Sequence, residues 1–160
     1  MSIALVLLSS LGLALPPLSP PVGASSSSSA GPAVEVLGGS TRVAAGGLAP
    51  LELTLKIPPG FTVYRDMLEV KVTQARGLSL GPASLPPGLS APDPAVPGQT
   101  RELYDFDAVV QIPLLKPGPT GTWAVELDVR YQACAGSVCL MPRTEQVISV
   151  LQVGGPQAGD

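Results

Sequence analysis

Apolar and polar residues alternate with a period of two along much of the chain. Leu51, Leu53, Leu55 and Ile57 are interleaved with Glu52, Thr54 and Lys56, the signature of a strand with one buried face. Leu68, Val70 and Val72 repeat the pattern against Glu69, Lys71 and Thr73. From about Leu103 to Leu114 a further strand is predicted, with Phe106, Ala108, Val110 and Ile112 on one face. The clearest run places Trp123, Val125, Leu127, Val129 and Tyr131 opposite Ala124, Glu126, Asp128, Arg130 and Gln132. A last strand covers Glu145 to Val153, rich in β-branched residues. Phe61 to Arg65 is an extended candidate, and Val34–Leu37 and Thr41–Ala44 are weaker ones. Pro58-Pro59-Gly60 and Lys116 to Gly121 punctuate the runs as turns. Residues 76–100, rich in Gly, Pro and Ser, read as a long connection. No helical stripe stands out in this region. Short strands separated by turn signals predict an all-β fold, an immunoglobulin-like β-sandwich.

The N-terminal residues follow a different rule. Ile3 to Leu15 is almost wholly apolar. As a helix it would span about 20 Å, short of the roughly 30 Å of a bilayer core. Pro16, Pro17, Pro20 and Pro21 stop it, and Val22-Gly23-Ala24 offers small residues for a signal peptidase. Residues 1–24 are therefore expected to be a signal peptide, with an uncleaved tether as the alternative. Residues 25–32 read as a flexible Ser/Gly linker, 33–153 as the folded domain and 154–160 as a tail. No membrane span is expected after leader removal, and an exported location follows.

Composition narrows the chemistry. The chain has 160 residues and no histidine, which excludes Ser-His and Cys-His catalytic pairs. Nine basic residues against twelve acidic ones give a net charge of −3, so no electrostatic footprint for nucleic acid exists. No cofactor and no metal are expected: two sulfurs without histidine do not complete a zinc site.

The remaining candidate chemistry is Cys134 and Cys139, separated by four residues at the shoulders of a predicted hairpin loop. Directly opposed antiparallel residues lie about 4.5–5.5 Å apart at Cα, within the reach of a disulfide at roughly 4.4–6.8 Å. The loop is short, so the bond would stabilise by only about 2 kcal/mol. Unbroken alternation places Cys134 on the face of Arg130 and Gln132, away from the Trp123 stripe, where a partner could reach its sulfur. Both points suit an exchangeable bond. An inert structural bridge, common in exported proteins, stays open as the other reading, and the protein would then be a non-catalytic immunoglobulin-like binding module. Tyr64 and Tyr131 read as core or rim residues by default, and Trp123 as core. Arg143, Asp105 and Asp107 read as solvated charges.

The motif Tyr131-Gln132-Ala133-Cys134…Cys139-Leu140-Met141-Pro142 resembles the cysteine hairpin of the N-terminal periplasmic domains of the thiol–disulfide interchange proteins of the DsbD family. Pro59-Gly60-Phe61-Thr62-Val63-Tyr64-Arg65, Glu102-Leu103-Tyr104-Asp105, Ile112-Pro113-Leu114 and Ala44-Ala45-Gly46-Gly47 fit the same family, over about residues 33–153. The resemblance implies a periplasmic, bacterial domain whose dithiol, Cys134 and Cys139, shuttles electrons. Its donor would be a membrane electron-donor protein, here on a separate chain. Its acceptors would be exported thioredoxin-like proteins, including disulfide isomerases and those of cytochrome c biogenesis. By the same resemblance Cys139 forms the mixed disulfide. Tyr64, Tyr131 and Val96, in the stretch Asp93–Gly98, are the candidates for shielding the thiol pair.

Overall fold

The computed structural model describes residues 34–94 and 96–154. The expected leader and linker, and the tail after Gly154, lie outside the described residues.

Among the described residues, twelve strands are arranged in three sheets that enclose one core. The first sheet contains β1 (Glu35–Gly38), β3 (Leu51–Lys56) and β8 (Ala108–Ile112), in the order β1-β3-β8. The second contains β2 (Ser40–Val43), β5 (Glu69–Gln74), β9 (Gly121–Tyr131) and β12 (Arg143–Val153), in the order β2-β12-β9-β5. The third contains β4 (Phe61–Tyr64), β6 (Leu89–Pro92), β7 (Thr100–Tyr104), β10 (Ala133–Ala135) and β11 (Val138–Cys139), in the order β11-β10-β4-β7-β6. Among the described residues all strand pairings are antiparallel except β2 with β12. This is an immunoglobulin-like β-sandwich.

The alternating stripes account for the core. Leu51, Leu53 and Leu55 from β3 meet Val110 and Ile112 from β8 and Val125, Leu127 and Val129 from β9, all fully buried. β9 and β12 are paired over their whole length, from Arg143↔Tyr131 to Val153↔Gly121. Trp123 packs against the edge of this core, partly buried, and its Nε1 donates to the Pro119 carbonyl at 2.8 Å.

The chain changes sheets at sharp points. Between β1 and β2 it crosses at Gly38 and Gly39, where a Cβ would collide with the carbonyl oxygens of Ile148 and Glu52 respectively. Ser149, buried in β12, donates to that Glu52 carbonyl at 3.1 Å and accepts from the Gly39 N–H at 3.2 Å.

Two expectations need correction. The strand predicted from Leu103 to Leu114 is two strands, β7 and β8, in different sheets. Its alternation is real on Ala108, Val110 and Ile112, but Phe106 lies at the break and is 41% exposed. Asp107, expected to be simply solvated, holds that break: it accepts from the Ile57 N–H and from Lys56 Nζ, each at 3.1 Å. The stretch 76–100 is not merely a connection. It supplies β6, paired to β7 from Leu89↔Leu103 to Pro92↔Thr100, and bridges Leu80↔Leu114 and Ser84↔Gln111.

Candidate functional site

After Tyr131 the chain leaves the second sheet and enters the third. Ala133–Ala135 pairs with β4 on one side and with β11 on the other. The hairpin between β10 and β11 turns at Gly136-Ser137, and Gly136 has φ +57°, the left-handed region that glycine adopts without steric cost. Its shoulders are tied by the Leu140 N–H donating to the Ala133 carbonyl at 2.8 Å. Gln132 Nε2 also donates to the Leu140 carbonyl at 3.0 Å.

This hairpin sets Cys134 directly opposite Cys139, with Cα atoms 3.9 Å apart and the sulfurs bonded. On its other side Cys134 stands opposite Thr62. Directly opposed residues share a sheet face, and faces alternate along each strand. Thr62 and Tyr64 therefore lie on the disulfide's face. Leu103, opposite Tyr64, lies there too, as does Arg101 two residues before it. The opposite face carries Val63, Tyr104 and Ala133, all buried in the core. The disulfide is thus on the side of the sheet turned away from the core, as the alternation from Arg130 and Gln132 predicted.

Its accessibility differs from that expectation. Cys134 is 1% exposed, so its sulfur is not open to a partner. Facing away from the core does not guarantee solvent when neighbouring side chains lie over the sheet. Cys139, on the short edge strand, is exposed. It is flanked by exposed apolar side chains: Val138, Leu140 and Met141 are 66%, 45% and 85% exposed. The pair is therefore asymmetric, with one outer and one inner residue.

Tyr64 is buried on the disulfide face, and its ring lies under the Arg101 guanidinium, 4.1 Å from carbon to centroid. Arg101 Nη2 donates to both carboxylate oxygens of Asp66 at 2.7 and 2.6 Å. Asp66 belongs to the 3-10 turn Arg65–Met67 that follows β4. Arg101 Nε also pairs with Asp93 at 3.8 Å. The hydrogen bond to Asp66 raises the guanidinium's already high pKa. Tyr131 ends β9 on the core face. Its hydroxyl lies 2.6 Å from Glu145 Oε1 and 3.0 Å from the Val34 carbonyl. Val96 sits in the loop joining β6 to β7, 40% exposed, its carbonyl accepting from the Gln99 N–H at 3.1 Å. Arg143 pairs with Glu145 at 3.2 Å. The structure thus gathers Cys134, Cys139 and Tyr64 on one sheet face, puts Tyr131 on the core face and places Val96 in the loop between β6 and β7. Sequence spacing gave no hint of Arg101, Asp66 and Asp93, because their meeting depends on which strands are neighbours.

A family model described as thiol:disulfide interchange protein DsbD, N-terminal, matches residues 37–151. Among solved structures, the chain is similar to the reduced DsbD N-terminal domain of Neisseria meningitidis, with 22% identity, 65% of this chain and 78% of that chain covered, and a TM-score of 0.49. It is also similar to a chain of the complex between the DsbD N-terminal and the PilB N-terminal domains of that organism. There the identity is 20%, the coverage 71% of this chain and 80% of that chain, and the TM-score 0.51. No curated protein matches.

Proposed function

The chain belongs to the family of DsbD N-terminal domains, and from that premise we propose that it is an exported thiol–disulfide exchange domain working through Cys134 and Cys139. Residues 1–24 direct it across the membrane, and it acts in the periplasm. A membrane electron donor reduces it, and it in turn reduces exported thioredoxin-like proteins. The complex of a similar domain with the PilB N-terminal domain supports a protein partner. Tyr64, on the disulfide's face, and Val96, in the loop after β6, are proposed to shield the pair, whereas Tyr131 is held on the core face.

The observation that carries the reading is the asymmetry of the pair: an exposed Cys139 on an edge hairpin, bonded to a buried Cys134. In the reduced domain the Cys139 thiolate attacks one sulfur of a partner disulfide. That bond breaks, the partner's other sulfur leaves as a thiolate, and a mixed disulfide forms. The Cys134 thiolate then attacks Cys139 Sγ and expels the partner's second thiolate. Two electrons pass to the partner, and the Cys134–Cys139 bond is restored. Val138, Leu140 and Met141 form an apolar surround from which a docked partner excludes water.

Two measurements test this. The Cys134–Cys139 reduction potential is expected above about −300 mV; a value well below it marks an inert bridge and refutes exchange. Cys134→Ala, which leaves the outer thiol unresolved, is expected to trap a mixed disulfide with an exported thioredoxin-like protein.

A further inference from the structure

We propose that Arg101 is a positioning residue for this disulfide, clamping the Tyr64 ring over Cys134 and so closing the inner sulfur to solvent. Its purpose rests on the exchange reading; its geometry does not. Cys134 and Tyr64 lie on the sheet face turned away from the core, yet they are only 1% and 9% exposed. Side chains on that face must therefore cover them. Tyr64 is the diagonal neighbour of Cys134 across β10 and β4, and diagonal neighbours are about 7–8 Å apart, within reach of an aromatic ring. Arg101 is in turn the diagonal neighbour of Tyr64 across β4 and β7, and its guanidinium lies over the ring. A row therefore runs obliquely over the sheet from Cys139 through Cys134 and Tyr64 to Arg101.

The outer end of the row is anchored twice. Asp66 takes both its hydrogen bonds from Arg101 Nη2, and Asp93 faces Nε. These carboxylates come from the 3-10 turn after β4 and from the segment following β6, so a single guanidinium joins β4, β6 and β7. A planar fork can satisfy carboxylates at its edge while its face lies on a ring; an ammonium cannot do both. If Arg101 were only a surface ion pair, its removal would not alter access to a sulfur two strands away.

The test reads access to Cys134 directly. In a Cys139→Ser background Cys134 is the sole thiol, since the chain has two cysteines, and its alkylation rate by iodoacetamide reports the cover. Arg101→Gln is expected to raise that rate roughly fivefold, the shift a cation–π clamp of this class sustains. Arg101→Lys should remain near Arg101→Gln. Tyr64→Ala should raise the rate at least as much, and Tyr64→Ala with Arg101→Gln should be no faster than Tyr64→Ala alone, because Arg101 acts through the ring. Unchanged amide exchange in β9 and β12 marks the effect as local. An unchanged rate in Arg101→Gln, or rate increases that multiply in the double variant, overturns the proposal. Should Arg101→Gln unfold the domain, Asp66→Asn releases one anchor with Arg101 in place; a smaller rise supports the clamp and no rise overturns it. The assay needs neither partner nor potential, so a potential below −300 mV would sink the exchange reading while leaving this result standing.

Discussion

Removing the Tyr131 hydroxyl tests how the end of β9 is held before the chain crosses to the cysteine hairpin. Tyr131 is 1% exposed, and its hydroxyl faces two acceptors, Glu145 Oε1 at 2.6 Å and the Val34 carbonyl at 3.0 Å. It has one proton to give, and the shorter contact to the carboxylate takes most of it. A hydrogen bond to a charged group contributes about 1.5–3 kcal/mol. Tyr131→Phe is therefore expected to cost about 2 kcal/mol, equivalent to a fall of roughly 6–10 °C in Tm for a domain of this size. The same contacts make a pH signature. Burial first, and then the hydrogen bond and charge of Glu145, hold the Tyr131 pKa well above the ordinary value. The folded state thus retains a proton that the unfolded state loses near pH 10. The stability this group contributes is fully present below that pH and declines as pH rises above it. Urea denaturation between pH 8 and 11.5 should show the wild type losing its advantage over Tyr131→Phe. Tyr104, whose pKa is also raised, chiefly by burial, is common to both proteins and cancels in the difference. Equal stability at pH 8, or parallel pH profiles, would refute the assignment.

Gly38→Ala and Gly39→Ala each drive a methyl into a carbonyl oxygen of a neighbouring strand; each should cost about 2 kcal/mol or more by urea denaturation, and a change under about 0.5 kcal/mol would show that the crossing can shift. Asp107 has its pKa lowered, by Lys56 first and then by the Ile57 N–H, so its contribution is present above the unfolded carboxylate pKa and lost as pH falls below it. Acid unfolding of Asp107→Asn should therefore show a shallower loss between pH 5 and 2.5 than the wild type, and matching curves would exclude a role for Asp107 at the β7–β8 break.

Much of the sandwich was legible because burying one face of a strand enforces period two. Leu51, Leu53 and Leu55, and Val125, Leu127 and Val129, could be assigned to the core from spacing alone. The break at Asp105–Asp107 was not legible, because alternation runs through it unchanged while the chain passes from one sheet to another. Phe106 keeps the parity of Ala108 and Val110 and still ends up exposed. β6 was hidden for another reason. Leu89–Pro92 has little strand propensity, and it forms because β7 offers it an edge. At the site, parity gave the face of Cys134 correctly. What lies over that face depends on Tyr64 and Arg101, 37 residues apart in sequence and neighbours only through the β4–β7 register.

The same geometry lets this fold tolerate the repeated breaking of the disulfide that the proposed exchange requires. The disulfide closes only the segment Cys134–Cys139, and in the chain-entropy account so short a loop contributes about 2 kcal/mol. A domain of ordinary stability, roughly 5–15 kcal/mol, survives losing that amount. The core that supplies this stability is built from the stripes of β3, β8, β9 and β12 and from the opposite face of the sheet that carries the sulfurs. After reduction, Ala133 still packs in that core, and β10 still pairs with β4 through Ala133↔Val63 and Ala135↔Phe61. The inner thiol is thereby held in place on a paired strand. The outer thiol lies on a two-residue edge strand, joined to β10 by the turn and the Leu140–Ala133 hydrogen bond. Loss of the covalent bond therefore frees the outer shoulder more than the inner one. That division suits the proposed exchange cycle, in which Cys139 reaches a foreign sulfur and then returns to Cys134.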